Sequence, residues 1–126
     1  MKQFIGAVSL PVDDVDKAIE FYTRKLGFGL LQDGTSVDGR RSVSVGPKGA
    51  SETAVQLLGP VAGEAQKLFP SKLGIALHTD DFWRDYREMR TQGVQFEEEP
   101  REEAYSTVAG FEDPYGNRWN LTEIRR

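Results

Sequence analysis

His78 is the one histidine in the chain, and imidazole is the only side chain that changes charge near neutrality without a strongly perturbing environment. It could act as a general base or hydrogen-bond a ligand, or simply bond a neighbour at a strand end. No nucleophile or orienting acid stands beside it in the sequence. Asp13-Asp14 and Asp80-Asp81 have the residue types of a carboxylate dyad. Arg118 offers a fixed cation that could clamp a carboxylate or phosphate, or pair with Glu112 or Asp113 nearby. Glu97-Glu98-Glu99-Pro100-Arg101-Glu102-Glu103 concentrates negative charge, and such runs are ordinarily solvated loops. Cysteine is absent, which excludes disulfides, thiolate metal sites and cysteine nucleophiles. A single histidine excludes any site needing two imidazoles from one chain.

These residues sit in a repeated framework. Leu10-Pro11-Val12-Asp13-Asp14-Val15 returns as Leu77-His78-Thr79-Asp80-Asp81-Phe82. Each copy follows a strand-like run, Phe4 to Leu10 and Leu73 to Thr79, and precedes a helical pattern. Val15, Ala18, Ile19, Tyr22 and Leu26 share one helical face, as do Phe82, Tyr86 and Met89. An aspartate before each helix can accept from the unpaired N–H groups of its first turn, so both acidic pairs read as caps rather than dyads. Gly27 and Gly93 stop the helices. Three strand-like runs follow in each half: Phe28 to Gln32, Arg41 to Val45 and Thr53 to Leu58, then Val94 to Glu97, Ser106 to Phe111 and Arg118 to Ile124. Their breakers are Asp33-Gly34, Asp38-Gly39, Gly46-Pro47-Lys48-Gly49 and Asp113-Pro114-Tyr115-Gly116-Asn117. The order is strand, helix, three strands, twice. The expected layout is one domain over residues 1–126, with a first module at 1–59, a linker at 60–70 and a second module at 71–126. The fold class is α+β: two βαβββ modules in tandem forming a curved mixed sheet with an open cavity.

A helix covers only one face of each small sheet, and strand alternation identifies what the other face carries. Val8, Leu10, Val55 and Leu57 take the helix side in the first module, leaving Ile5, Ala7, Ser9, Ala54, Gln56 and Leu58 opposite. In the second, Ile75, Leu77, Trp119 and Leu121 face the helix. Gly74, Ala76, His78, Arg118, Asn120 and Thr122 face away. Small and polar residues of this kind suit a cavity wall better than a packed core. Tyr105, at the start of a strand, could reach the same space. Trp83 lies off the apolar stripe of its helix and suits a rim or interface.

The chain has 126 residues and a net charge of −4, which suits one compact domain and gives no drive toward nucleic acid or an anionic membrane. Its apolar runs are too short to span a bilayer, and Met1-Lys2-Gln3 does not open a signal peptide. The expectation is a cytoplasmic protein.

Val8 to Tyr22 followed by Leu26-Gly27-Phe28, together with Gly74 to Asp81, Gly93-Val94-Gln95-Phe96 and Asp113 to Arg118, resembles the vicinal oxygen chelate superfamily. That group includes glyoxalase I, extradiol dioxygenases, fosfomycin-resistance enzymes and bleomycin-resistance proteins. The resemblance covers nearly the whole chain and implies the fold more strongly than the reaction. In metal-dependent members, the first and fourth strands of each half supply His or Glu to a divalent cation. The corresponding positions here are Ala7, Gln56, Gly74 and Asn120, none of which is ionisable. Two neutral amides make a poor cation site, so no metal and no cofactor are expected. The resemblance also places the acidic run near the cavity mouth and implies a homodimer.

The reading that follows is a metal-free protein sequestering an organic small molecule in a cavity lined by Ala7, Ser9, Gln56, Gly74, His78, Tyr105, Arg118 and Asn120. Its alternative is a glyoxalase-like lyase or isomerase, or a dioxygenase, with a non-standard site.

Overall fold

In the computed structural model, which describes residues 5–35, 39–49, 53–60 and 74–125, the chain divides into two compact units, Met1–Pro70 and Ser71–Arg126. The connection from residue 61 to 70, the strand starts Phe4 and Leu73, and the turn residue Asp38 lie outside the described residues.

The first unit runs β1 (Ala7–Pro11), α1 (Val15–Glu20), a π-helical turn (Phe21–Lys25), β2 (Gly29–Thr35), β3 (Arg41–Gly46) and β4 (Ala54–Leu58). Its sheet has the order β1-β4-β3-β2, with β1 and β4 parallel and the other pairs antiparallel. The second unit runs β5 (Ile75–His78), α2 (Phe82–Thr91), β6 (Arg101–Glu102), β7 (Ser106–Glu112) and β8 (Arg118–Ile124). Its sheet repeats the plan as β5-β8-β7-β6, with β5 and β8 parallel. The two βαβββ modules expected from the repeat are therefore present as two four-stranded mixed sheets.

Local chemistry explains the helix starts. The Asp14 carboxylate accepts from Lys17 N and the Asp81 carboxylate from Arg84 N, each at 3.1 Å. Such N-caps contribute about 1 kcal/mol apiece. Asp80 instead pairs with Arg84 at 3.0 Å. The second aspartate of each duplicated pair is thus the cap.

The first helix departs from a plain 3.6-residue period. Leu26 N bonds Phe21 O across a π-type turn, and the added residue brings Phe21 and Tyr22 inward together, ring edge to face at 5.2 Å. The α2 stripe is as expected: Phe82, Tyr86 and Met89 are buried. They pack in a unit whose strands contribute Phe111, Trp119 and Leu121. Trp119 is 2% exposed and stacks with Phe111. The expected alternation holds on β3 and β4, where Val43, Val45, Val55 and Leu57 are buried.

Three strand expectations are corrected. Asp33-Gly34 does not break the chain; both residues pair within β2, Gly34 opposite Ser42. Val94 to Glu97 is not a strand: Phe96 makes a single bridge to Phe111, and its ring packs on Tyr86. The fourth strand of the second sheet is β6, inside the acidic run, where Arg101 pairs with Val108. Val8 has helix-side parity but is 37% exposed, on a strand at the edge of its sheet.

Candidate functional site

The uncovered face of the first sheet is organised by one amide. Register aligns Ser9 of β1, Gln56 of β4 and Ser44 of β3. Ser9 Oγ donates to Gln56 Oε1 at 2.8 Å, and Gln56 Nε2 donates to Ser42 Oγ at 2.5 Å. Three strands are stitched together by neutral groups, with the amide fixed at both ends. Ala7 lies exposed on the same face. Sequence parity found Ser9 and Gln56 but missed Ser42 and Ser44, although their alternation with Val43 and Val45 carried the signal.

The uncovered face of the second sheet carries charge. Gly110 and Asn120 are register partners on β7 and β8, and Glu112 is the partner of Arg118. The Arg118 guanidinium lies on the Gly110 backbone. A Cβ at Gly110 would stand 2.8 Å from Cζ and 3.1 Å from Nε, and closer still to Nη2. Only glycine leaves this room. Gly74 has a φ of +90°, and a Cβ there would meet Asn120 Nδ2 at 2.7 Å. Two glycines thus accommodate Arg118 and Asn120.

The partner of Arg118 is Glu97, not the neighbouring Glu112 or Asp113 considered from sequence. Nη1 donates to Glu97 Oε1 at 3.0 Å, and Nη2 lies 3.8 Å from Glu98 Oε1. Glu97 N in turn bonds Gly110 O at 2.9 Å. The start of the acidic run is therefore tied to the sheet by backbone and side chain, and is not a wholly solvated loop. Asp113 is engaged elsewhere. Its buried carboxylate accepts from Tyr115 N and Asn117 N at 2.9 Å and from Asn117 Nδ2 at 2.8 Å, which builds the turn that launches β8.

His78 is exposed, opposite Thr122 in the parallel β5–β8 register. Thr122 is buried and its hydroxyl donates to Asn120 O at 3.3 Å. No ion pair or oriented acid accompanies His78 among the described residues. Tyr105 is 78% exposed and lies in the bend before β7 rather than in the strand; its carbonyl accepts from Arg125 N at 2.7 Å. Trp83 sits at the surface of α2 against Phe82 and Tyr86.

The four positions that the resemblance assigns to metal ligands form a donor set unsuited to a divalent cation. Ala7 and Gly74 have no side-chain donor. Gln56 Oε1 already accepts from Ser9, and Asn120 is a neutral amide. Hard cations take several oxygen ligands, with carboxylates prominent among them. Among the described residues, no three of His, Asp or Glu are grouped to hold a metal ion. No helix among them is long and apolar enough to cross a membrane.

The sequence profile of the Glyoxalase/Bleomycin resistance protein/Dioxygenase superfamily matches residues 4–121. An uncharacterized protein of Shewanella frigidimarina (strain NCIMB 400) is 40% identical over 129 residues, covering 98% of this chain and 96% of its own. Among solved structures, TnmS3, an antibiotic binding protein from Streptomyces sp. CB03234, is 33% identical with a TM-score of 0.82 over 98% of this chain and 97% of its own. A superfamily member from Sphaerobacter thermophilus DSM 20745 is 31% identical with a TM-score of 0.84, over 97% and 98%.

Proposed function

The chain belongs to the Glyoxalase/Bleomycin resistance protein/Dioxygenase superfamily, and on that premise we propose that it is a small-molecule-binding member that sequesters an organic ligand without a divalent metal. The ligand is taken up against the uncovered sheet faces, with Ala7, Ser9, Gln56, Gly74, His78, Tyr105, Arg118 and Asn120 as candidate lining residues. The observation that carries this reading is the state of Gln56. At a position that the resemblance assigns to a metal ligand, its amide is held by Ser9 and Ser42, which supports a polar lining role over ligation. Kinship with TnmS3, an antibiotic binding protein, supports binding as the function. We further propose that the protein acts in the cytoplasm as a homodimer, with two modules per subunit (1–59 and 71–126, joined by 60–70).

The alternative, a lyase, isomerase or dioxygenase, draws on the exposed His78 as a candidate general base. Elemental analysis of the purified protein and mass spectrometry of its denatured extract separate the two. The binding reading expects an organic compound and less than about 0.1 equivalent of divalent metal, since neutral amides hold such ions weakly. A stoichiometric ion lost from Gln56→Ala or Asn120→Ala would overturn it, as would turnover abolished by a chelator.

A further inference from the structure

We infer that Glu97 sets the charge preference of the second module's uncovered face: by engaging the Arg118 guanidinium, it makes that face a seat for an uncharged aromatic compound and turns away anions. This rests on the binding reading above and adds the class of ligand.

An arginine on a sheet face ordinarily invites a carboxylate or phosphate, because its forked N–H groups match two acceptor oxygens. Here those groups are directed to the protein's own carboxylates, Glu97 at 3.0 Å and Glu98 at 3.8 Å. One side of the guanidinium rests on the Gly110 backbone. Glu112 stands beside Arg118 in cross-strand register. Two carboxylates therefore engage one cation, with a third acid at the paired strand position. An incoming anion would have to displace Glu97 and then lie beside the like charge of Glu98, which disfavours it even at this solvent-exposed pair. The guanidinium's remaining plane is still available, since the side chain is 28% exposed. A guanidinium plane stacks on aromatic rings without giving up its ion pair. Asn120, the adjacent neutral amide on β8, can hydrogen-bond an uncharged substituent.

The experiment compares two fluorescent naphthalenes on the full chain: anionic 8-anilinonaphthalene-1-sulfonate and uncharged N-phenyl-1-naphthylamine. The quantity read is the ratio of their Kd values. In E97Q/E98Q the ratio is expected to move toward the sulfonate by about tenfold, the effect of freeing one guanidinium at short range. Uncharged-dye affinity should stay within about twofold, as its stacking surface is retained. Adding R118Q should cancel the gain. E102Q/E103Q changes net charge equally without touching Arg118 and should leave the ratio in place. An unchanged ratio in E97Q/E98Q overturns the inference, as does a gain that survives R118Q or is matched by E102Q/E103Q. In each of those cases dye binding itself stands, and so does the sequestering function. Failure of both dyes to bind wild type and variants overturns the two together.

Discussion

Gly110 and Arg118 are complementary: the space left by a missing Cβ on β7 is the space filled by a guanidinium from β8. The obstructing atoms belong to the far end of a flexible side chain, so they can move at little cost. Gly110→Ala is expected to change folding stability by less than about 1 kcal/mol, because strand propensity favours alanine and Arg118 can swing outward. It should nonetheless break the Arg118–Glu97 pair and so tighten the anionic dye relative to the uncharged one by about fivefold, the scale of one charged hydrogen bond made available to the ligand. Denaturant unfolding and dye titration on the same samples check the split. Equal loss in both would mean that Gly110 is needed only for folding.

The buried Asp113 holds the turn into β8 through two backbone N–H groups and the buried Asn117 amide. Asp113→Ala leaves these donors without their acceptor, in a place where water replaces it poorly. The expected cost is about 2–5 kcal/mol, from unsatisfied buried polar groups plus a disrupted turn. Urea unfolding measures it, and a loss below about 0.5 kcal/mol, the level of a surface substitution, would show that the turn is held by other means.

Arg41 grips Asp33 with a two-point contact, Nε to Oδ1 at 3.2 Å and Nη2 to Oδ2 at 2.9 Å, and also donates to Asp16. The hydrogen bonds from Arg41, aided by its charge, hold the Asp33 carboxyl below the usual carboxylate range. A lowered value in the folded state means that this pairing favours the fold above the ordinary carboxylate pKa, and that the benefit fades as pH falls through the lowered value. The pair is exposed, so the effect on stability is small. Arg41→Gln should return Asp33 to the ordinary range, visible in its side-chain carboxyl carbon shift on titration from neutral to strongly acidic pH. An unmoved midpoint would rule out Arg41 as the cause.

The parts of the architecture written locally are legible in the residues. An aspartate at each N-cap, an apolar stripe at helical spacing and a glycine stop are read from adjacent positions, and Asp14, Asp81 and Gly93 fill those roles. Strand parity likewise puts Gln56, Ser9, Arg118 and Asn120 on uncovered faces. What escapes depends on partners distant in sequence. β6 is a charged pair of residues that becomes a strand only because β7 offers it backbone groups, so it has no apolar signature. Phe96 reads as a strand residue, but its ring packs against Tyr86 of the helix. Glu97 cannot be matched to Arg118 across twenty-one positions without knowing that Glu97 N docks on Gly110 O. The π-helical turn is invisible because a stripe through Tyr22 alone satisfies the expected period.

Each module closes its own helix with its own aspartate and completes its own sheet. The amide network of Ser9, Gln56 and Ser42 therefore shares no residue with the arginine seat of the other half. A substitution within one of these side-chain networks therefore leaves the hydrogen bonds of the other in place, so the two halves can be varied one at a time.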